Sequence, residues 1–332
     1  MINLQLVAAQ TGSSNLHRSE KTSLALDAGA TGVVFINNVE GHILLTGTAS
    51  ATGDVLKAPV VCIGQEEGAA LREHMRVDSS LRVTIRMTNR NAQVTARNVI
   101  CELPGSDPGA GVIVVGGHLD SWDLATGATD NGLGSYSILD LARCYHALGL
   151  QPKRAIRFIL FMGEEEGLLG SGALVKEWKA NGELDQVKCM INLDMSGHPK
   201  GFNVFGPGDW SATVRDGQAP IAASDTSFKA LLTTDPGLHS DHQAFMLEGI
   251  PVIAPICDLG NHVYGCYHSS CDDIHLVDPQ AMVNNVRRVG QLLWVLSNAP
   301  ELPGPFTSAE LRERLTAAGL EDKLRIQKAW PW

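Results

Sequence analysis

The sequence predicts an α/β protein: a doubly wound, mainly parallel mixed sheet preceded by a smaller α/β piece. Two observations carry this. From residue 93 onward, short β-branched runs alternate with helix-length segments, the order that builds βαβ units. Three of those runs (112–115, 155–162 and 187–193) are mostly apolar, as strands covered on both faces are, with Arg157, Lys188 and Asn192 the polar residues within them.

The smaller piece spans 1–90. Residues 19–28 have a helical pattern that stops at Gly29, and the apolar 33–36 follows as a strand. A Gly/Thr/Ala-rich loop, 41–53, leads to a second apolar run at 59–63 and a helical 66–75. Leu81, Val83, Ile85 and Met87 then alternate like a strand. This piece shows no acidic or histidine cluster of its own. The wholly polar 88–91 marks the boundary to the main domain, 91–300.

In that domain 93–102 alternate like a strand and 104–109 make a turn before the strand at 112–115. A helix at 132–148, the strand at 155–162, a helix at 171–180 and the strand at 187–193 follow. A further strand is expected at 251–256 and a long helix at 279–297. The tail, 301–332, reads as an amphipathic helix with a Trp-Pro-Trp end, docked on the body or on another subunit.

Composition narrows the function. At 332 residues the chain has room for two domains, and 44% hydrophobic content supplies ample core. A net charge of −10 argues against nucleic acid or an anionic membrane as partner. The longest apolar runs are strand-sized, so no membrane insertion is expected, and 1–9 do not read as a signal peptide. Seven cysteines without a CxxC pair argue against a zinc ribbon. Cys144 and Cys189 lie in apolar runs as buried thiols, whereas Cys257, Cys266 and Cys271 cluster near His268 with room for one disulfide.

Chemistry enters where the buried strands end. His118 follows the first, Glu164 and Glu165 the second, and Asp194 the third. The carboxyl edge of an open α/β sheet is where such proteins place ligands. Asp130 opens the helix after His118, and His268 comes from a late loop. Two histidines and three carboxylates suit a pair of zinc ions if Asp130 bridges, though cobalt or manganese would also fit. Asp120, two residues beyond His118, is placed to accept its other ring N–H. Gly132 and Gly134 allow close backbone approach. Adjacent residues at a strand end point in different directions, so Glu165 can bind metal while Glu164 serves as general base. Tyr267 is a candidate donor to a tetrahedral oxyanion, and Asp241 and His242 are candidate substrate contacts.

Singly, these residues have ordinary explanations. An Asp before a helix is more often an N-cap, an acidic triplet such as Glu164–Glu166 a solvated turn, and a lone histidine a surface or core residue. His17, His42, His74, His146, His198 and His275 are read that way. Recurrence at successive strand ends sets the main five apart; Tyr267, Asp241 and His242 lack that support.

The runs Gly116-Gly117-His118-Leu119-Asp120-Ser121-Trp122, Asp130-Asn131-Gly132, Glu164-Glu165-Glu166-Gly167-Leu168, Asn192-Leu193-Asp194, Ser240-Asp241-His242 and Tyr267-His268-Ser269 resemble the co-catalytic di-zinc aminopeptidase family, and within it the carboxypeptidase Q-like dipeptidases. The likeness covers about 98–297 and includes the 12-residue step from His118 to Asp130. It implies two zinc ions per chain: His118 and Asp194 on one, Glu165 and His268 on the other, Asp130 shared, and Glu164 as base. Residues 19–88 resemble the later part of a protease-associated domain, which by this likeness is truncated here. The resemblance further implies short peptides or dipeptides as substrates, a homodimer, and a secreted or periplasmic full-length protein. Its rivals are a glutamate-type carboxypeptidase, a one-zinc glutaminyl cyclase-like acyltransferase, and a non-catalytic receptor module. Catalytic loops poor in Arg and Lys weigh against the first, and the complete ligand set against the other two.

Overall fold

A computed structural model describes residues 16–90 and 92–332. The reading of 1–9 as lacking a leader therefore lies outside the described residues, as does Asn91 of the boundary segment.

The smaller unit holds α1 (Arg18–Asp27), β1 (Val33–Ile36), β2 (Val60–Ile63) and α2 (Gln65–Val77). The two strands pair in parallel. His17 caps α1, its ring nitrogen accepting from Ser19 N while Glu20 accepts the His17 N–H. The strand expected through Leu81–Met87 does not form. The alternation survives, with Leu81, Val83 and Ile85 half-buried between exposed neighbours, but no ladder partner runs beside it among the described residues. A strand is defined by its neighbour, and this segment has the pattern without one. The unit also has a charged cluster that the sequence reading did not find: His42 Nδ1 lies 2.6 Å from Glu67 Oε1 and 3.9 Å from Glu66 Oε2, with His42 and Glu67 exposed and Glu66 half-buried.

The main unit is a seven-stranded sheet in the order β3-β5-β4-β6-β9-β7-β8. Its strands are β3 (Val99–Leu103), β4 (Val112–His118), β5 (Ala155–Phe161), β6 (Val187–Asn192), β7 (Gly201–Phe205), β8 (Leu231–Thr233) and β9 (Val252–Ile256). β4 pairs in parallel with β5 and β6, β6 with β9, and β7 with β8; the β3–β5 and β7–β9 pairs are antiparallel. The mixed, mainly parallel sheet is thus present. Of the expected strand at 93–102, only the end forms, as β3.

Helices cover both faces. One face packs α3 (Leu133–Ala147), α5 (Trp210–Ser224) and α8 (Pro279–Asn298) onto Ile113, Val115, Phe158 and Ile191. The other packs α4 (Leu169–Asn181) and α6 (His242–Leu247) onto Val114, Ile159, Phe161 and Met190. Consecutive residues of β4 therefore enter opposite cores, which explains its unbroken apolar run. A short α7 (Asn261–Tyr264) lies in the loop after β9. The tail docks on the body as two helices, α9 (Ser308–Ala317) and α10 (Glu321–Ile326), not one. Gly319, at φ 70°, makes the break.

Order within the sheet sets the site. β4 has β5 on one side and β6 on the other, so the chain leaves it in opposite directions and a crevice opens beyond its carboxyl end. His118, Glu164–Glu165 and Asp194 stand at that crevice.

Candidate metal centre

His118 closes β4 and is 1% exposed. Its Nδ1 lies 2.9 Å from the backbone carbonyl of Asp120, which only accepts, so the ring hydrogen sits on Nδ1 and Nε2 is left facing the crevice. Nε2 lies 3.2 Å from Asp130 Oδ1 and 3.5 Å from Asp194 Oδ1. On the far side, His268 Nε2 lies 3.2 Å from Asp130 Oδ2 and 3.0 Å from Glu165 Oε2. Asp130 presents one oxygen to each histidine. Glu164 joins His118 and Asp194, with ligand atoms all within 4.8 Å of one another. The structure thus brings all six side chains together.

The cluster has the marks of a cation site. Among the described residues, Glu165 Oε1 is enclosed without a hydrogen-bond donor, an arrangement that costs free energy unless something positive satisfies it. Burial pushes the Glu164 and Glu165 carboxyls up, and neighbouring carboxylates add to the rise. Burial would also raise Asp130, but the two histidines overcome it and hold that carboxyl below the usual range. Two imidazoles with carboxylate oxygens are a donor set that zinc accepts, and two such sets share Asp130.

Several residues hold the ligands in place, most of them unmarked in the sequence. Asp272 accepts from Thr129 N at 2.8 Å and Asp130 N at 3.0 Å, fixing the backbone that carries Asp130. Asn131 spans the gap to β6, donating to the Leu193 carbonyl at 2.8 Å and accepting from Gly134 N at 3.1 Å. A Cβ on Gly134 would collide with the same Leu193 carbonyl, which is why this position takes glycine. Ser240 donates to Asp194 Oδ2 at 2.6 Å, and Trp122 Nε1 to Glu165 Oε2 at 2.7 Å. Residues of these types occur on any surface loop; only the fold assigns them partners.

His268 sits in a loop closed by a Cys266–Cys271 disulfide and adopts φ 53°. That left-handed conformation costs a residue with a Cβ on the order of 1–2 kcal/mol. The smaller unit grips the same loop: Thr46 N donates to the His268 carbonyl at 2.7 Å, and Ser270 N to that of Leu44 at 3.1 Å. Arg18 reaches the His268 ring from α1. Tyr267 stacks on His268 at 3.8 Å between ring centroids. Burial, with the Asp130, Asp194 and Glu165 carboxylates, holds its hydroxyl well above the ordinary value, so it keeps its proton.

Two expected roles are corrected. The Asp120 carboxylate does not meet the His118 ring. It accepts from Gly163 N, Glu164 N and Glu165 N at 2.9–3.2 Å, shaping the turn that carries both glutamates, while its backbone carbonyl takes the imidazole hydrogen. Asp241 cannot touch substrate: it is 0% exposed, and burial pushes it up to about 7. His242, at the start of α6, is packed against Gly237 with Nδ1 enclosed. The sequence shows that Ser240-Asp241-His242 is a loop, but not that the chain folds Asp241 under the site.

Fold and site together fit a metallopeptidase with candidate ligands at the carboxyl edge of an α/β sheet. The profile of Peptidase family M28 matches residues 98–293, a PA domain profile matches 5–71, and the chain belongs to family M28. It is 36% identical over 244 residues to leucine aminopeptidase 2 of Trichophyton equinum, covering 70% of this chain and 47% of that protein. Leupeptin-inactivating enzyme 1 of Streptomyces exfoliatus is 30% identical over 245 residues, 69% of this chain and 55% of its own. The chain thus spans about half the length of these relatives. Among solved structures, a peptidase M28 precursor from Shewanella amazonensis superposes with a TM-score of 0.73 at 25% identity, covering 88% of this chain and 66% of that one. BSAP, a zinc aminopeptidase from Bacillus subtilis, gives 0.62 at 25% identity over 90% and 72%.

Proposed function

We propose that this chain carries the catalytic centre of a two-zinc exopeptidase that removes the N-terminal residue of short peptides. The observation that supports it most is the division of Asp130, one oxygen toward His118 and Asp194 and the other toward His268 and Glu165. His118, Asp194 and Asp130 would hold one zinc; His268, Glu165 and Asp130 the other. When bound, such ions supply Lewis acidity, bringing the pKa of a water to about 7 and polarising the scissile carbonyl.

The protein's own residues do the rest. Glu164 takes the proton of the attacking water and delivers it to the leaving amine, and its raised pKa suits both halves of that transfer. Tyr267, kept protonated, donates to the oxygen that gains charge. Asp194 is held by Ser240, and Glu165 by Trp122, so neither ligand reorganises as charge develops.

The Cys266–Cys271 disulfide supports a secreted or periplasmic setting. No helix among the described residues is long and apolar enough to cross a membrane. The test is turnover of aminoacyl amides and dipeptides by zinc-loaded protein. Activity that requires a free α-amine supports the reading, and cleavage of N-blocked peptides alone overturns it.

A further inference from the structure

Charge is unevenly placed along the chain. Residues 72–97 hold six arginines (Arg72, Arg76, Arg82, Arg86, Arg90 and Arg97) and two acids, Glu73 and Asp78. That stretch is +4 within a chain of −10, which leaves −14 on the rest. All six arginines are exposed, and among the described residues only Arg76 has a carboxylate partner, Glu73 at 2.8 Å. Arg72 and Arg76 stand on the second half of α2, and the others follow it in the segment that lacks a ladder partner.

Packing fixes which way this segment faces. Leu81, Val83 and Ile85 are half-buried and alternate with exposed Arg82, Thr84 and Arg86. Ile85 lies against the smaller unit, where a Cβ on Gly32 would be 3.6 Å from its Cδ1. In extended backbone alternate side chains share a side, so Arg82 and Arg86 leave together toward solvent, about 13 Å apart along the chain. Apolar side chains stand among the cations: Val77 is 77% exposed, Met87 46% and Val94 85%. Val77 directly follows Arg76, and Met87 follows Arg86.

Single exposed apolar residues are ordinary, and arginines alone would suit any polyanion. Their interleaving narrows the partner. Single-stranded nucleic acid is held by charge together with aromatic stacking, and 72–97 contain no Phe, Trp or Tyr. An anionic bilayer uses both features present: headgroup phosphates meet the guanidinium groups, and the acyl boundary takes the apolar side chains. The acidic remainder does not prevent this contact, because exposed charges beyond about 8 Å are largely screened at physiological ionic strength. The net charge of −10 averages over two regions of opposite sign, so it does not exclude such a partner.

We propose that residues 72–97 form a peripheral docking surface for an anionic lipid bilayer, held by arginine–headgroup pairing and shallow burial of Val77, Met87 and Val94. The surface shares no residue with the metal centre and does not depend on the exopeptidase reading.

The test is sedimentation of the full chain with vesicles of phosphatidylcholine alone and of phosphatidylcholine mixed with phosphatidylglycerol. Binding to the anionic vesicles is expected, at least about tenfold stronger than to the neutral ones and weakening as salt rises. Arg82→Gln with Arg86→Gln should lower the partition coefficient by roughly 10- to 30-fold, since each charge near the surface contributes about fivefold. Arg215→Gln with Arg312→Gln, two arginines exposed elsewhere, should leave it within about twofold. Val77→Ser with Met87→Ser should weaken binding severalfold, with circular dichroism unchanged in all three variants. Absent binding, equal binding to both kinds of vesicle, or equal losses in the two arginine variants overturns the proposal. A loss in Arg82→Gln with Arg86→Gln but none in Val77→Ser with Met87→Ser also overturns it, because the strip would then serve a charged polymer and not a bilayer.

Discussion

Glu164 and Glu165 are neighbours with the same side chain and different surroundings. Glu165 is 4% exposed, bonded by Trp122 and turned toward His268, whereas Glu164 is half-buried beside His118 and Asp194. Replacing Glu164 by Gln should leave zinc content unchanged and lower kcat by on the order of 10²–10⁴-fold. Metal analysis beside kinetics checks both halves, and loss of zinc would reassign Glu164 as a ligand. Trp122→Phe removes the donor that orients Glu165, so zinc affinity should fall by about 10–100-fold in a chelator competition. The identity of the six converging side chains was legible in the sequence: His118, Glu164, Glu165 and Asp194 follow strand signals, Asp130 opens a helix, and His268 stands in a late loop singled out by its Tyr267-His268-Ser269 run. Their hydrogen-bond partners were not. Asp120 serves the His118 ring through its backbone and the glutamate turn through its side chain, a split that residue type cannot encode. Arg18 stands 250 residues from the histidine it contacts, beyond any local pattern.

At the scale of elements, the loop after β9 carries more than its histidine. Asp272 is one residue beyond the disulfide, and its carboxylate holds the backbone of Thr129 and Asp130. Asp272→Asn loses one of those acceptors, and zinc affinity should drop by about 10–100-fold with little change in secondary structure by circular dichroism. The cap of α1 predicts a pH effect. Burial, with His239 stacked at 4.6 Å and Arg18 adjacent, lowers His17 to about 3. The unfolded chain thus binds a proton between pH 6.5 and about 3 that the folded protein does not. Stability should fall as pH drops through that window, and less steeply in His17→Asn, which keeps a cap without titrating. Parallel denaturation curves for the two proteins would refute this. Elements failed to announce themselves where local signals conflict. Residues of α5 include Gly217 and Pro220, both helix breakers by composition, and β7 begins with glycine and has Asn203 at its centre. Leu81–Met87 is the reverse case, a strand pattern without a neighbour.

For the whole molecule, the parallel order β5-β4-β6 fixes where chemistry can occur, and the smaller unit completes the rim through residues 44–46 and Arg18. The mainly parallel sheet was readable because its three central strands are buried on both faces. The docking of the smaller unit on the His268 loop was not readable, since it depends on backbone hydrogen bonds that any sequence can make. The account depends on Asp130 being shared by two cations. Anomalous diffraction at the zinc edge from zinc-loaded crystals tests this directly. Two peaks about 3.5–4 Å apart on either side of the Asp130 carboxylate are predicted. A single peak, or peaks remote from Asp130, would contradict it.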